Sequence, residues 1–235
     1  MLKKIILSLC FLPASVSFLF AIDKGSLILY PQAGFGASDA LCSVWDGARL
    51  SDEVTGAPGS PRIFKDANMP PMPGISWSIG CGLDYVFTDS LALTSGIFID
   101  ATSFVVIYKK ANAALASNME LRYSFIYLTV PAGLHFYGDV FVLGGGLYLD
   151  VPLSGRRSAK YMDRTTDTNI DGLKTMGLFI DVGVFNSTIN DSNNTLMAFF
   201  RFKNDLTNAY KKEDAVSNIK RISLNMTVAY GFTIN

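Results

Sequence analysis

The sequence predicts an all-β protein, an eight-stranded antiparallel up-and-down transmembrane β-barrel with short periplasmic turns and longer external loops. Three observations lead to this prediction. Of the 235 residues, 49% are apolar, yet no apolar run beyond the N-terminal segment reaches the roughly 18 residues that a spanning helix needs. Apolar residues instead alternate with small or polar ones, which is the period-2 pattern of β-strands. Short and long connections also alternate, as they do in membrane barrels.

The N-terminal segment, residues 1–21, is predicted to be a signal peptide. Two lysines precede an apolar run from Ile5 to Ala21, which is the arrangement of an export signal. Cleavage after Ala21 and cleavage after Ser17 both remain open. An uncleaved anchor helix is the alternative, but the run is short for a membrane span and contains a proline. Residues 22–235 are predicted to form one outer-membrane β-barrel domain.

Eight segments show the alternation. The clearest runs from Ile75 to Phe87, where every second residue is apolar and those between are mostly Ser, Gly or Asp. The candidate strands lie near residues 26–37, 74–87, 91–105, 120–137, 141–151, 175–184, 196–203 and 221–232. Short turns are predicted near 88–90, 138–139 and 188–194, and longer polar loops near 38–73, 109–119, 153–173 and 206–218. An even number of strands places both ends of the barrel on the periplasmic side.

The composition of the two strand faces decides which one points outward. The polar face of a soluble β-sandwich is wet and should be rich in Lys, Glu and Asp, whereas here it holds Gly, Ser, Thr, Tyr and few charges. Glycine weakens a strand on a solvent face, but inside a narrow barrel it makes room for large neighbouring side chains. The apolar face is therefore assigned to lipid and the small polar face to the lumen. A periplasmic soluble ligand-binding barrel with the reverse arrangement is the alternative.

Seven charged residues are predicted to point into the lumen. An eight-stranded barrel is just wide enough for side chains to fill it. Because unpaired buried charges each cost several kcal/mol, these residues should pair with one another and plug the barrel. A narrow channel for small solutes, or a proton path, is the alternative. The seven residues are Asp84, Asp100, Asp150, Asp181, Arg201, Lys203 and Arg221.

Several segments, taken in order, resemble those of a known family. Residues 91–97 read Leu-Ala-Leu-Thr-Ser-Gly-Ile, residues 126–134 read Ile-Tyr-Leu-Thr-Val-Pro-Ala-Gly-Leu, and residues 229–232 read Ala-Tyr-Gly-Phe. Over about residues 75–235 the chain resembles the PorT-like outer membrane protein β-barrel family. The resemblance implies an eight-stranded barrel, and some members of the family support protein secretion. It implies no shared catalytic residues.

No catalytic, metal or cofactor site is predicted. The only histidine, His135, is assigned to the lumen near the periplasmic end, whereas a catalytic triad would need a serine and a carboxylate beside it. One histidine and three cysteines make a metal site built from these residue types very unlikely. The protein is therefore expected not to be an enzyme and to need no cofactor.

The expected partners are outer-membrane lipid and the barrel-insertion machinery. Lys and Arg total 20 and Asp and Glu total 20, so the chain lacks the basic excess of a nucleic-acid binder. The predicted loop 153–173 carries Arg156, Arg157, Lys160 and Arg164, which suit the phosphates of lipopolysaccharide or another glycolipid, or host surface molecules. A solvated loop without a partner is the alternative. The sequence thus predicts a bacterial outer-membrane protein with a structural or surface-interaction role through its external loops.

Overall fold

A computed structural model describes residues 24–44, 72–108, 119–138, 140–161, 164–186, 194–210 and 216–234. The predicted signal peptide and residues 45–71 of the first predicted loop lie outside this part of the chain. No helix of the described residues is long and apolar enough to cross a membrane. The strands are β1 (Leu27–Val44), β2 (Met72–Val86), β3 (Leu91–Tyr108), β4 (Met119–Tyr137), β5 (Phe141–Tyr161), β6 (Arg164–Asn169), β7 (Thr175–Asn186), β8 (Asn194–Asp205) and β9 (Val216–Ile234).

All of these strands except β6 close into a barrel in which every pairing is antiparallel. The order around the ring is β1, β2, β3, β4, β5, β7, β8 and β9, and β9 pairs back onto β1. The closing seam runs from Leu27 opposite Ile234 to Val44 opposite Val216. This ring confirms the predicted eight-stranded antiparallel up-and-down barrel.

The segment 153–173 is not the loop that the sequence predicts. β5 continues to Tyr161, and β6 folds back on it with Arg164 opposite Tyr161. The alternation is hidden because β5 carries one extra residue, Leu153, where Tyr127 of β4 faces Pro152 and the preceding residue of β4 faces Ser154. Such a β-bulge reverses the faces of the residues that follow it. The predicted first loop is also shorter than expected, since β1 extends to Val44 and β2 begins at Met72.

Outward-facing apolar side chains form a belt around the barrel. On β7, Met176, Leu178, Ile180, Val182 and Val184 are 43–57% exposed, whereas the residues between them point inward and are mostly buried. Each of the other seven barrel strands also exposes large apolar side chains on its outer face. The apolar face is therefore outside and the small polar face inside, as the alternation predicts.

The inward residues of β4 give the order of layers along the barrel axis. At the end that holds residues 24 and 234, which we call the turn end, Tyr137 belongs to a cluster of buried apolar residues with Val86, Phe185 and Met197. His135 and Thr129 then lie among charged side chains. At the opposite end, the extended end with β6, buried aromatic rings pack together. These rings are Phe104, Tyr123, Phe125, Tyr127 and Tyr210.

Candidate functional site in the barrel interior

The structure places all seven residues of the predicted lumen network in the interior, where each is at most 8% exposed. Asp205 and His135 are buried among them. These nine side chains come from seven of the eight barrel strands, because every one of those strands turns its polar face inward. They form two adjacent groups along the barrel axis.

The histidine cluster consists of Asp84, His135, Asp181 and Arg201. His135 Nδ1 lies 2.6 Å from Asp84 Oδ2, and His135 Nε2 lies 3.2 Å from Asp181 Oδ2. Arg201 donates to both oxygens of Asp181, from Nε at 2.8 Å and from Nη2 at 2.6 Å. A neutral imidazole has only one N–H, so two carboxylate partners require the doubly protonated, positively charged ring. The cluster therefore holds two cations and two anions.

Aromatic side chains surround the charges of the histidine cluster. The guanidinium carbon of Arg201 lies 5.2–5.4 Å from the ring centroids of Phe98, Phe179 and Phe199. A cation over the face of an aromatic ring is attracted by the ring quadrupole, and more strongly when water is excluded. Tyr30 donates a hydrogen bond of 2.8 Å to Asp84, and Tyr137 donates to the same carboxylate. The buried charges therefore keep polar or π partners in place of water.

The lysine cluster consists of Asp100, Thr129, Asp150, Lys203, Asp205 and Arg221 and lies nearer the extended end. Lys203 Nζ donates to Asp100 Oδ2 at 2.5 Å, from the opposite wall of the ring. Arg221 donates from Nε to Asp205 Oδ2 at 2.7 Å and from Nη2 to Asp150 Oδ2 at 2.5 Å. Its cations lie over tyrosine rings, Lys203 at 4.1 Å from the Tyr148 centroid and Arg221 at 3.8 Å from that of Tyr127.

Glycines make room for the large rings of both clusters. A Cβ on Gly144 would lie 2.1 Å from His135 Cδ2, and one on Gly177 would lie 2.3 Å from the Tyr148 hydroxyl. These distances are far inside van der Waals contact, so only a residue without a side chain fits. These inward-facing glycines therefore leave the space that the large rings occupy inside the barrel.

The predicted external residues lie on the β5–β6 hairpin and not in a loop. Arg156 is exposed and pairs with Asp167 of β6, and the Ser158 hydroxyl and this guanidinium lower the pKa of the Asp167 carboxyl. Lys160 is exposed, opposite Glu120 of β4. Beyond the bulge Arg157 shares the inward parity of two buried neighbours. The side chain of Arg164 lies outside what the structure describes.

Sequence reasoning missed several members of the interior network. Asp205 follows Arg201 and Lys203 at the same period of two, so extending the strand beyond 203 would have found it. The predicted strand ends near residue 203. The prediction places His135 in the lumen but leaves it out of the charge network. Thr129 shares its face, and only the fold shows which carboxylates it reaches.

A closed antiparallel sheet with an apolar outer belt and a polar interior is the architecture of a membrane β-barrel. The described residues contain no group of three His, Cys, Asp or Glu side chains that could hold a metal ion. No protein-family model matches the chain, so the resemblance to the PorT-like family stays a prediction. No curated protein matches it either.

Solved structures of outer-membrane β-barrels are similar in fold at low identity. Ail of Yersinia pestis, in complex with the heparin analogue sucrose octasulfate, is 12% identical, with 89% of this chain and 100% of that chain covered and a TM-score of 0.39. The outer membrane protease OmpT of Escherichia coli is 8% identical, with coverages of 94% and 99% and a TM-score of 0.45. OprG of Pseudomonas aeruginosa is 14% identical, with coverages of 90% and 97% and a TM-score of 0.33. The likeness concerns the fold alone.

Proposed function

We propose that this protein is an integral protein of a bacterial outer membrane, with a closed lumen and a structural or surface-interaction role. The observation that carries the proposal is the apolar belt on all eight barrel strands. Side chains such as Phe35 at 63% and Ile97 at 62% are exposed, and a monomer in water rarely exposes a contiguous apolar patch larger than a few hundred Å². Lipid around the belt removes this cost, at roughly 25 cal/mol for each Å² of apolar surface covered.

The orientation in the membrane follows from the connections. The turn end holds the termini of the barrel and the turn at Thr88–Ser90. In barrels of this class the short turns are periplasmic and the long connections external. The N-terminal segment, as a signal peptide, delivers the chain to the periplasm, from which the insertion machinery assembles the barrel. The β5–β6 hairpin then lies outside the cell.

A closed lumen is supported by the contacts across the interior. Each of Arg201, Lys203 and Arg221 lies within 2.7 Å of a carboxylate oxygen. Moving a charged side chain aside to open a path would leave its partner buried and unpaired, which costs several kcal/mol. The apolar layer at the turn end and the aromatic layer at the extended end lie on either side of these charges. The interior therefore acts as a plug, and the outer surfaces carry the interaction.

The face that we assign to surface interaction is the outer side of the hairpin. The bulge at Leu153 turns Arg156 and Lys160 outward, and Arg122 of β4 points the same way opposite Ser158. On β5 these cations follow Leu153, the last exposed large apolar residue of that strand, and two of them have acidic neighbours, Glu120 beside Arg122 and Asp167 beside Arg156. Phosphates bind guanidinium and ammonium groups. Anionic lipid or glycolipid is therefore the proposed partner, and Arg157 and Arg164 remain candidate contacts of a soluble surface ligand.

Refolding of residues 22–235 into detergent micelles tests the membrane assignment. A closed barrel is expected to run differently on heated and unheated gels and to give a strand-dominated circular dichroism spectrum. A chain that folds as a soluble monomer without detergent would overturn the assignment and favour a periplasmic ligand-binding barrel. The same sample in planar bilayers tests the plug, since a closed lumen should give no steady conductance. Steady openings would favour the narrow channel.

A further inference from the structure

The buried charges of the interior do not balance if every acid is ionised. Among the described residues the buried acids are Asp84, Asp100, Asp150, Asp181 and Asp205, and the buried bases are His135, Arg201, Lys203 and Arg221. In the two clusters five acids therefore face four bases, even with His135 counted as a cation. Arg157, a half-buried base of inward parity, lies outside the clusters, opposite Tyr123 of the aromatic layer. An unpaired ionised carboxylate in a water-poor interior is strongly disfavoured, and the usual remedy is that such a group takes up a proton.

Four acids have a base of their own. Asp181 binds Arg201 through both oxygens, Asp84 lies 2.6 Å from His135, and Asp100 lies 2.5 Å from Lys203. Asp205 Oδ2 accepts from Arg221 Nε at 2.7 Å and from the Arg221 backbone N–H at 2.9 Å. Asp205 also accepts from the Tyr148 hydroxyl at 2.5 Å. Both oxygens of Asp205 therefore accept hydrogen bonds, as expected of an ionised carboxylate.

Asp150 is the acid that remains. Its Oδ2 accepts one hydrogen bond from Arg221 Nη2, the guanidinium that already serves Asp205. Lys203 Nζ lies 3.5 Å from Asp150 Oδ1 but only 2.5 Å from Asp100 Oδ2. The nearest partner of Oδ1 is instead the hydroxyl of Thr129, at 2.6 Å.

The Thr129 hydroxyl supplies an independent argument. Its oxygen lies 2.8 Å from Asp100 Oδ2 and 2.6 Å from Asp150 Oδ1. A hydroxyl has one proton to donate, so it bonds to only one of two ionised carboxylates. Two oxygens at these distances without a proton between them would repel, and the second contact therefore needs a proton from a carboxyl group.

We propose that Asp150 is a proton-binding site, a neutral carboxylic acid held inside the barrel. Asp150 Oδ1 donates its proton to Thr129 Oγ1, and Thr129 donates to Asp100 Oδ2, which also accepts from Lys203. Asp150 Oδ2, as the carbonyl oxygen, accepts from Arg221. In this series of hydrogen bonds each hydroxyl or carboxyl proton has one acceptor. The four bases of the two clusters then balance four ionised acids. The inference depends on the interior contacts and is independent of the proposed surface role.

All strands packed around Asp150 contribute to this assignment. The facing charged or titratable groups are Asp100 of β3, Tyr127 of β4, Lys203 and Asp205 of β8, and Arg221 of β9. Thr175 of β7 also accepts a hydrogen bond from Arg221 at 2.9 Å. Arg221 reaches Asp150 only through Oδ2, and Lys203 lies 3.5 Å from Oδ1, so neither cation contacts Asp150 Oδ1 as closely as Thr129 Oγ1 does at 2.6 Å.

Stability of matched variants, refolded as the detergent-bound barrel, tests the proposal. An asparagine at position 150 keeps the shape and neutrality of a carboxylic acid, so Asp150→Asn should unfold within about 3 °C of the native barrel. Asp205→Asn is the matched control, since it removes an ionised partner of the same arginine, and it should lower the transition by roughly 10 °C. Equal losses in the two variants would overturn the proposal.

Infrared spectroscopy tests the proton without a variant that must stay stable. A protonated carboxyl group has a carbonyl stretch that ionised carboxylates lack. The native barrel in detergent at neutral pH is expected to show this band. Asp150→Asn should lose it, and Asp84→Asn, in the histidine cluster, should keep it. A native barrel without the band, or a band that survives Asp150→Asn, would overturn the assignment to Asp150.

Discussion

The histidine cluster and the lysine cluster lie side by side in the barrel but distribute their charges differently. In the first, Asp181 and Arg201 are direct cross-strand partners on β7 and β8, and three phenylalanine rings surround the guanidinium. In the second, Lys203 of β8 reaches Asp100 of β3 on the opposite wall. The histidine cluster joins adjacent strands through Arg201 and strands two positions apart through His135, which contacts β2 and β7 from β4. The lysine cluster also has a pair on adjacent strands, Asp205 and Arg221, but its Lys203 connects walls that share no backbone hydrogen bonds.

This difference decides what each cation contributes. If Arg201 is removed, its partner Asp181 still contacts the imidazole of His135. If Lys203 or Arg221 is removed, carboxylates on two different strands lose a cation.

Replacement of arginine in each cluster should give unequal losses. Arg221→Met removes the guanidinium that contacts both Asp150 and Asp205, and it should lower the free energy of unfolding by about 3–5 kcal/mol. Arg201→Met should cost less, since His135 stays beside Asp181. Urea titration of both variants in detergent measures the two losses. Equal losses would contradict the distinction between the clusters.

The pair across the lumen is tested by a double-mutant cycle. Lys203→Met should cost about 3 kcal/mol, because it leaves Asp100 buried without the cation that it contacts. Combining it with Asp100→Asn should restore part of this loss, with a coupling of about 0.5–3 kcal/mol. The same urea titrations supply the four free energies. Strict additivity would mean that the contact contributes nothing to the fold.

A glycine beside the imidazole tests the packing of the histidine cluster. Gly144→Ala places a methyl group 2.1 Å from a ring that two carboxylates hold in place, and it should cost about 1–3 kcal/mol. Gly145→Ala, one residue on, is the matched control, because its nearest atom would be a carbonyl oxygen at 3.3 Å. The temperature of the gel-mobility shift compares them. A control that loses more than Gly144→Ala would contradict the packing argument.

The exposed pair on the hairpin should give the smallest effect. The pKa of Asp167 is lowered first by the Ser158 hydroxyl and then by Arg156. A lowered folded pKa means that the contribution is present above the unfolded pKa and disappears as the pH falls through the folded one. Titration of the Asp167 side chain by NMR should show a higher midpoint in Ser158→Ala and a smaller rise in Arg156→Gln. No rise in Ser158→Ala would exclude the hydroxyl as the main cause.

The strands and their faces were predictable because period-two alternation depends only on local sequence. Asp181 and Arg201 could be assigned to the interior by parity alone, and the structure places them there. The hairpin could not be predicted, because the extra residue Leu153 reverses the parity and makes the segment look like a loop. The local alternation therefore predicts the strands of the barrel wall, but it does not predict the β5–β6 hairpin beyond the bulge.

The sequence alone could not predict which side chains meet across the lumen. Lys203 and Asp100 lie 103 residues apart, and their contact depends on the register of every strand pair between β3 and β8. Each pair adds its own offset, so the level at which opposite walls meet is a property of the closed ring. Parity shows that a residue points inward, and only the register shows what it meets.

The contact between Lys203 and Asp100 also has a mechanical meaning. The lateral pressure of the surrounding lipid acts on a barrel from all sides, and a thin cylindrical shell yields first by flattening into an ellipse. The contact between opposite walls fixes one diameter of the cross-section, and the link from Arg221 of β9 to Asp150 of β5, three strands away around the ring, fixes a shorter distance across the lumen. At the level of the lysine cluster these contacts resist flattening of the barrel. The shape of its cross-section should therefore change least at this level when membrane thickness or tension changes.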